Sequence, residues 1–237
     1  MKRVTTMEKS TQNGKTWKQA YDDIQNLILS SAVKPGEAVT EIGLSKRLGL
    51  GRTPVREALH KLEQEGLIVT ENRRKRVYIL TVAEAEAIFD IKIALESAVC
   101  GWAAERGDDK DRAALGRILE RMRALLESRP PEPADGSLWF KKWVETDEAL
   151  HRQMYRMAGN KRAEAFILQL NRQWHRVRVG MLAIEGRLDR SLEEHTAFIE
   201  AILARDARAA GEAMTQHLTN LKRMLVQILN MFHYPAA

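Results

Sequence analysis

The sequence is short of several things, and each shortage excludes something. It has one cysteine, Cys100, so no intramolecular disulfide is available and a reducing compartment suits it. No apolar run reaches the roughly 18 residues needed to cross a bilayer. The opening residues, MKRVTTMEKSTQNGKT, are polar and lack the apolar stretch of a secretory signal. A cytoplasmic chain without a membrane anchor is therefore expected. There is no internal repeat, and no strand signal after residue 80. Proline is scarce, at 6 in 237 residues, and three of the six lie between Arg129 and Gly136, which reads as a loop.

What is present is apolar content of 44%, enough for a real core, and an uneven charge. The net charge is +6. Residues 1–80 hold 15 Lys and Arg against 9 Asp and Glu, while the remainder holds 23 of each. The whole basic excess lies in the first third. A basic module beside a neutral one suggests that the first third meets a polyanion; a solvated basic surface is the plainer alternative.

The pattern predicts a mainly α chain. Residues 1–15 read as a disordered leader, polar and without periodicity. Ile24, Leu27 and Ile28 give Trp17–Ser31 an apolar stripe at helical spacing. Lys34-Pro35-Gly36 is a turn. A short helix from about Glu41 to Leu48 is closed by Gly49. Thr53 is expected to cap a third helix, with Pro54 at its first position and Val55, Leu59 and Leu62 facing inward. Leu67–Val69 and Val77–Leu80 alternate like two strands, with Glu71–Arg76 as the charged tip between them. From Thr81, where Thr81 and Glu84 make a capping box, the pattern is helical. Helices are expected to about Arg106, then over 109–128, 138–158, 161–179, 189–204 and 207–230. The domains are accordingly 16–80 and 81–232.

Two short helices, a tight turn and a hairpin read as a winged helix-turn-helix, whose second helix enters the major groove of DNA. Arg52, Thr53 and Arg56 stand at the start of that helix, the two arginines four apart on one face. Arginine can pair bidentately with guanine, and a helix N-terminus favours phosphate. The tip Arg73-Arg74-Lys75-Arg76 suits a wing along the backbone or in the minor groove. Either arginine alone would be an ordinary surface residue; the combination points to DNA.

A second constellation lies in the helical part. Asp147 and His151 are one turn apart, in TDEALHRQMYRMAGN, and so can aim at one point. His195 and His217 sit on two later helices. One carboxylate and three imidazoles inside a bundle suit a divalent transition metal: zinc first, with nickel, manganese or iron as alternatives. Spacing alone leaves open that these are ordinary helix residues. Asn171, Trp174 and Arg178 share one face of another helix.

The stretch KPGEAVTEIGLSKRLGLGRTPVREALHKLEQEGLIV resembles the N-terminal domain of GntR-family regulators, with its PG turn, RTPVREAL run and EGL entry to the wing. The rest of the chain resembles the FCD-type effector domain of the FadR subfamily. Metal-binding domains of that type carry Asp-x3-His and two later histidines, and Asp147, His151, His195 and His217 fall on those positions, the first pair being succeeded by Gly159-Asn160. The resemblance implies a homodimer on a near-palindromic operator, acting as a transcription regulator (a repressor is expected), and a small organic acid bound beside the metal. Arg178 matches an arginine common in the family. Lys92 stands where the family often has arginine, four residues before Glu96, so the carboxylate grip would differ; Glu96 itself reads as an ion-pair partner. Gly51 replaces a usual serine. Arg74 stands near a usual glycine, where a positive φ would be hard for arginine. The expected reading is a winged helix-turn-helix joined to an all-α helical bundle that binds an effector through Lys92, Asn171, Trp174 and Arg178. A metal-dependent hydrolase-like enzyme and a purely structural metal are the rivals.

Overall fold

The computed structural model of the chain describes residues 5–130, 137–182, 184 and 186–231, without the side chains of 5–16 and 175–180. The chain divides into two compact units, 1–80 and 81–237.

The first unit contains helices α1 (Thr5–Leu29), α2 (Glu41–Leu48) and α3 (Arg52–Gln64). Its three strands are β1 (Ala38–Val39), β2 (Ile68–Glu71) and β3 (Arg74–Val77), in the order β1-β3-β2 and antiparallel throughout. α1 begins inside the stretch read as a disordered leader. No proline interrupts that stretch, so little opposes backward growth of the helix from Trp17. The core joins Ile24 and Ile28 of α1 to Val55, Leu59 and Leu62 of α3 and to Ile68 and Val77 of the sheet.

Several local expectations are corrected. Thr53 is not the cap of α3; Gly51 is, with φ −64° and ψ 158° and no side-chain hydrogen bond. Pro54 therefore sits third in the helix, still within the first turn, where a missing N–H costs nothing. The hairpin is tighter than its apolar residues suggest. Glu71 pairs with Arg74, leaving Asn72 and Arg73 as a two-residue turn. Both have positive φ, 49° and 62°, as a right-twisted hairpin with such a turn requires. Arg74 lies in β3, so the left-handed position falls on Arg73. β1, two residues long, is too short to leave an alternating pattern.

The second unit is α4 (Val82–Arg106), α5 (Asp109–Glu127), α6 (Leu138–Ala158), α7 (Lys161–Leu182), α8 (Arg187–Leu203) and α9 (Ala207–Met231). The Thr81–Glu84 capping box starts α4. α4 lies along α9 at very short range. A Cβ on Gly101 would stand 3.2 Å from the Ala207 carbonyl oxygen, and one on Gly211 3.2 Å from that of Ser97. Ser97 and Thr215 hydrogen-bond across the crossing at 2.7 Å. On α6, one stripe buries Phe140, Trp143, Leu150 and Met154. Each such side chain contributes about 1.5–3 kcal/mol by burial. The same stripe carries Asp147 inward, where a carboxylate is costly unless it is matched.

Candidate functional site

On the first unit, Arg52, Thr53 and Arg56 are exposed at the start of α3. Arg52 stands 3.8 Å from Glu41, a long contact for an ion pair, and its side chain is 68% exposed. Among the described residues Arg56 has no ion-pair partner. The four charges of the wing separate into two kinds. Arg73 and Arg74 project into solvent. The Lys75 ammonium instead pairs with Glu63 of α3, to which Thr70 also donates. Arg76 donates to the Gly36 carbonyl oxygen at 2.8 Å. Lys75 and Arg76 thus fasten the hairpin to the domain. The hydrogen bonds from Lys75 and Thr70 hold the Glu63 carboxyl below its usual range.

In the second unit, α6, α8 and α9 bring three imidazoles together. One ring nitrogen from each of His151, His195 and His217 lies within 4.8 Å of the others. His151 Nε2 is 3.2 Å from His195 Nε2, and Asp147 Oδ1 is 3.0 Å from the same atom. His195 Nδ1 donates to the Ser191 carbonyl oxygen, one turn back on α8. A carbonyl can only accept, so Nδ1 carries a proton, and in the neutral ring Nε2 is then bare. A bare nitrogen therefore faces a carboxylate oxygen and a second imidazole nitrogen. Such a cluster of acceptors is satisfied by a cation at their common point. Nitrogens of a tetrahedral zinc site lie about 3.3 Å apart, given metal–nitrogen distances of about 2.0–2.1 Å. The donor set fits a divalent transition ion.

The surroundings suit that use. The Phe198 ring, fully buried, lies 5.2–6.0 Å from all three imidazoles and shields them from water. Burial holds the His217 pKa below its usual value, against the raising effect of Glu194, which favours the neutral form that can bind metal. Its Nδ1 lies 2.9 Å from Glu194 Oε2. Glu194 also receives Arg187 at 3.0 Å and Asn220 at 2.9 Å. Burial pushes the Glu194 carboxyl up, but these partners outweigh it and leave it well below the usual carboxylate range.

The histidines open on a cavity of about 240 Å³, whose lining includes Lys92, Asn171 and Trp174. Lys92 is 2% exposed and bonds Glu96 and Asn171. Tyr155 donates to Glu96 at 2.9 Å and Trp174 to Asn171 at 3.2 Å. Lys92 is thus already matched by Glu96 and offers no net charge to a carboxylate. Arg152, Arg172 and Arg187 also line the cavity. The Arg178 side chain lies outside the described residues. Sequence reasoning missed Ser191, Glu194, Phe198 and Arg187. Ser191, four residues before His195, and Phe198, three after it, left spacings that could have been read. Glu194 adjoins His195 in the chain and meets His217 only in the folded state.

Comparison with known proteins decides the family. Residues 16–78 match the family described as bacterial regulatory proteins, gntR family, and residues 87–220 match the FCD domain. The chain belongs to the GntR family and carries an FCD domain. It is 27% identical to the Uxu operon transcriptional regulator of Escherichia coli (strain K12), over 95% of this chain and 92% of that one. It is also 27% identical to the HTH-type transcriptional repressor RspR of the same organism, over 89% of each chain. Among solved structures, E. coli McbR/YncC has the same fold, with a TM-score of 0.68 at 20% identity, over 90% of this chain and 98% of that one. This GntR protein is therefore a DNA-binding transcription regulator, and its relatives are regulators and not enzymes. Its FCD domain implies a small-molecule effector. Among the described residues no helix is long and apolar enough to cross a membrane.

Proposed function

We propose that this GntR regulator is a homodimeric repressor on a near-palindromic operator, released or engaged by a small organic acid that binds beside a divalent metal in the FCD domain. Repression is the mode named for its relative RspR. The observation that carries the effector reading is the convergence of His151, His195 and His217, with Asp147 beside His195, on the lining of one cavity. These four residues would hold the metal, zinc first. When bound, the ion supplies a Lewis-acidic centre for carboxylate oxygens. Around it, the buried Phe198 packs against the three imidazoles, while Lys92, Asn171 and Trp174 line the same cavity. Arg178 completes the proposed ligand set by its position on α7. On the DNA side, Arg52, Thr53 and Arg56 read the groove, and Arg73 and Arg74 meet the backbone; Lys75, paired with Glu63, supports them by bracing the wing. An effector changes DNA affinity only through different affinities for the two states of the protein.

Two measurements test this reading. Elemental analysis of untagged protein should find about one metal per chain in the wild type, and strongly reduced loading in His151→Ala, His195→Ala and His217→Ala. Wild type that can be loaded with no metal, or variants that load like wild type, would remove the site. Binding to DNA upstream of the chain's own gene should change with the organic acid in metal-loaded protein and not after chelation.

A further inference from the structure

Around the three histidines, the rings are held in two different ways. His195 is held by a main-chain carbonyl of its own helix, through Nδ1. His217 is held by a side chain of another helix. Glu194 reaches from α8 to His217 Nδ1 on α9 at 2.9 Å. Glu194 is 13% exposed at its side chain, and Arg187 3%. Both Glu194 oxygens are engaged: Oε2 by His217 and Arg187, Oε1 by Asn220 at 2.9 Å. Asn220 lies three residues after His217 on α9. Arg187 opens α8, directly after Gly186 at φ 70°. The carboxylate is therefore fixed from three sides.

The chemistry has two consequences. A carboxylate that only accepts forces the proton of a neutral imidazole onto Nδ1, which leaves Nε2 bare for a cation. A charged acceptor also makes that ring a better electron donor than a carbonyl would, and partners of this kind govern metal affinity almost as strongly as the ligands do. Resting on the metal reading above, we propose that Glu194 is a positioning residue for the metal: held by Arg187 and Asn220, it fixes the tautomer and aim of His217 and raises the affinity of the site.

The test uses the full chain and zinc alone. Zinc affinity is measured by competition with a chromophoric chelator for wild type, Glu194→Gln, Glu194→Ala and the exposed neighbour Glu193→Gln. Glu194→Gln keeps an acceptor but loses the charge, and should bind zinc about tenfold more weakly. Glu194→Ala loses both and should fall toward 100-fold. Glu193→Gln should match wild type. A merely structural role is separated by nitrogen NMR of metal-free wild type, where His217 should carry its proton on Nδ1, and by the visible spectrum of the cobalt-loaded protein, which should change in Glu194→Gln. If Glu194→Ala does not fold, Glu194→Gln and the wild-type tautomer decide. The inference is overturned if the Glu194 variants bind zinc like wild type, if Glu193→Gln weakens binding equally, or if metal-free His217 is protonated on Nε2. Wild type that binds no zinc overturns the metal reading itself, which is a different result from wild type that binds and variants that bind alike.

Discussion

Arg52 lies in the first turn of α3, largely exposed, with Glu41 3.8 Å away. That contact is too long and too wet to hold the guanidinium; exposed pairs contribute about 0–1 kcal/mol at most. The fork is free to meet a base edge. Arg52→Ala should therefore weaken binding to the specific operator by about 1–3 kcal/mol and relax preference at one base position. Fluorescence anisotropy on operator and on random DNA checks this. Equal losses on both would make Arg52 a phosphate contact. Lys92 shows the opposite case. Its residue type predicts a weaker grip on a carboxylate, but Glu96 neutralises it inside the cavity wall. The one-turn spacing to Glu96 already suggested the ion pair, and the fold adds that both residues are buried and that Asn171 shares the ammonium.

At the scale of the element, the wing carries two separable effects. Neutralising Arg73 and Arg74 should weaken binding to all sequences and flatten the salt dependence by roughly one unit per lost phosphate contact. Salt titrations of each variant test it, and an unchanged slope would show that the tip does not touch DNA. Lys75 braces the hairpin through Glu63, whose carboxyl is held low by Lys75 and Thr70. A carboxyl depressed in the folded state stabilises the fold above its ordinary value of 4.5, and that contribution is lost as pH falls through the lower, folded value. Glu63→Gln should remove this part of the acid sensitivity, seen in melting curves between neutral and acid pH. The helices were legible because their apolar residues recur every three or four positions. The wing hairpin was legible from its apolar ends, but not how far its strands run toward the tip, because the residues that pair there are charged and solvent-facing. Asp147 and His151 were legible as a one-turn pair, and the later histidines through the family resemblance. The partners that aim the histidines were not, since only Ser191 lies at a readable spacing.

For the whole molecule, each unit has its own buried core, and all four candidate metal ligands lie in the second. Zinc at 100 times its Kd should stabilise that unit by about 2.7 kcal/mol, which for a domain of this size raises its melting temperature by roughly 5–11 °C. Calorimetry should show the second unit shifting and the first unmoved; a common shift, or none, would contradict this. The turn of the wing has a different consequence for the protein as a whole. Arg73 is held at φ 62°, where glycine is at ease and a residue with a Cβ is not. Arg73→Gly should therefore relieve about 1 kcal/mol of backbone strain and make the domain harder to melt. The same change takes a positive charge from the surface proposed to meet DNA. Robustness and function are set against each other at this one position, so a screen for thermal resistance would select a poorer regulator.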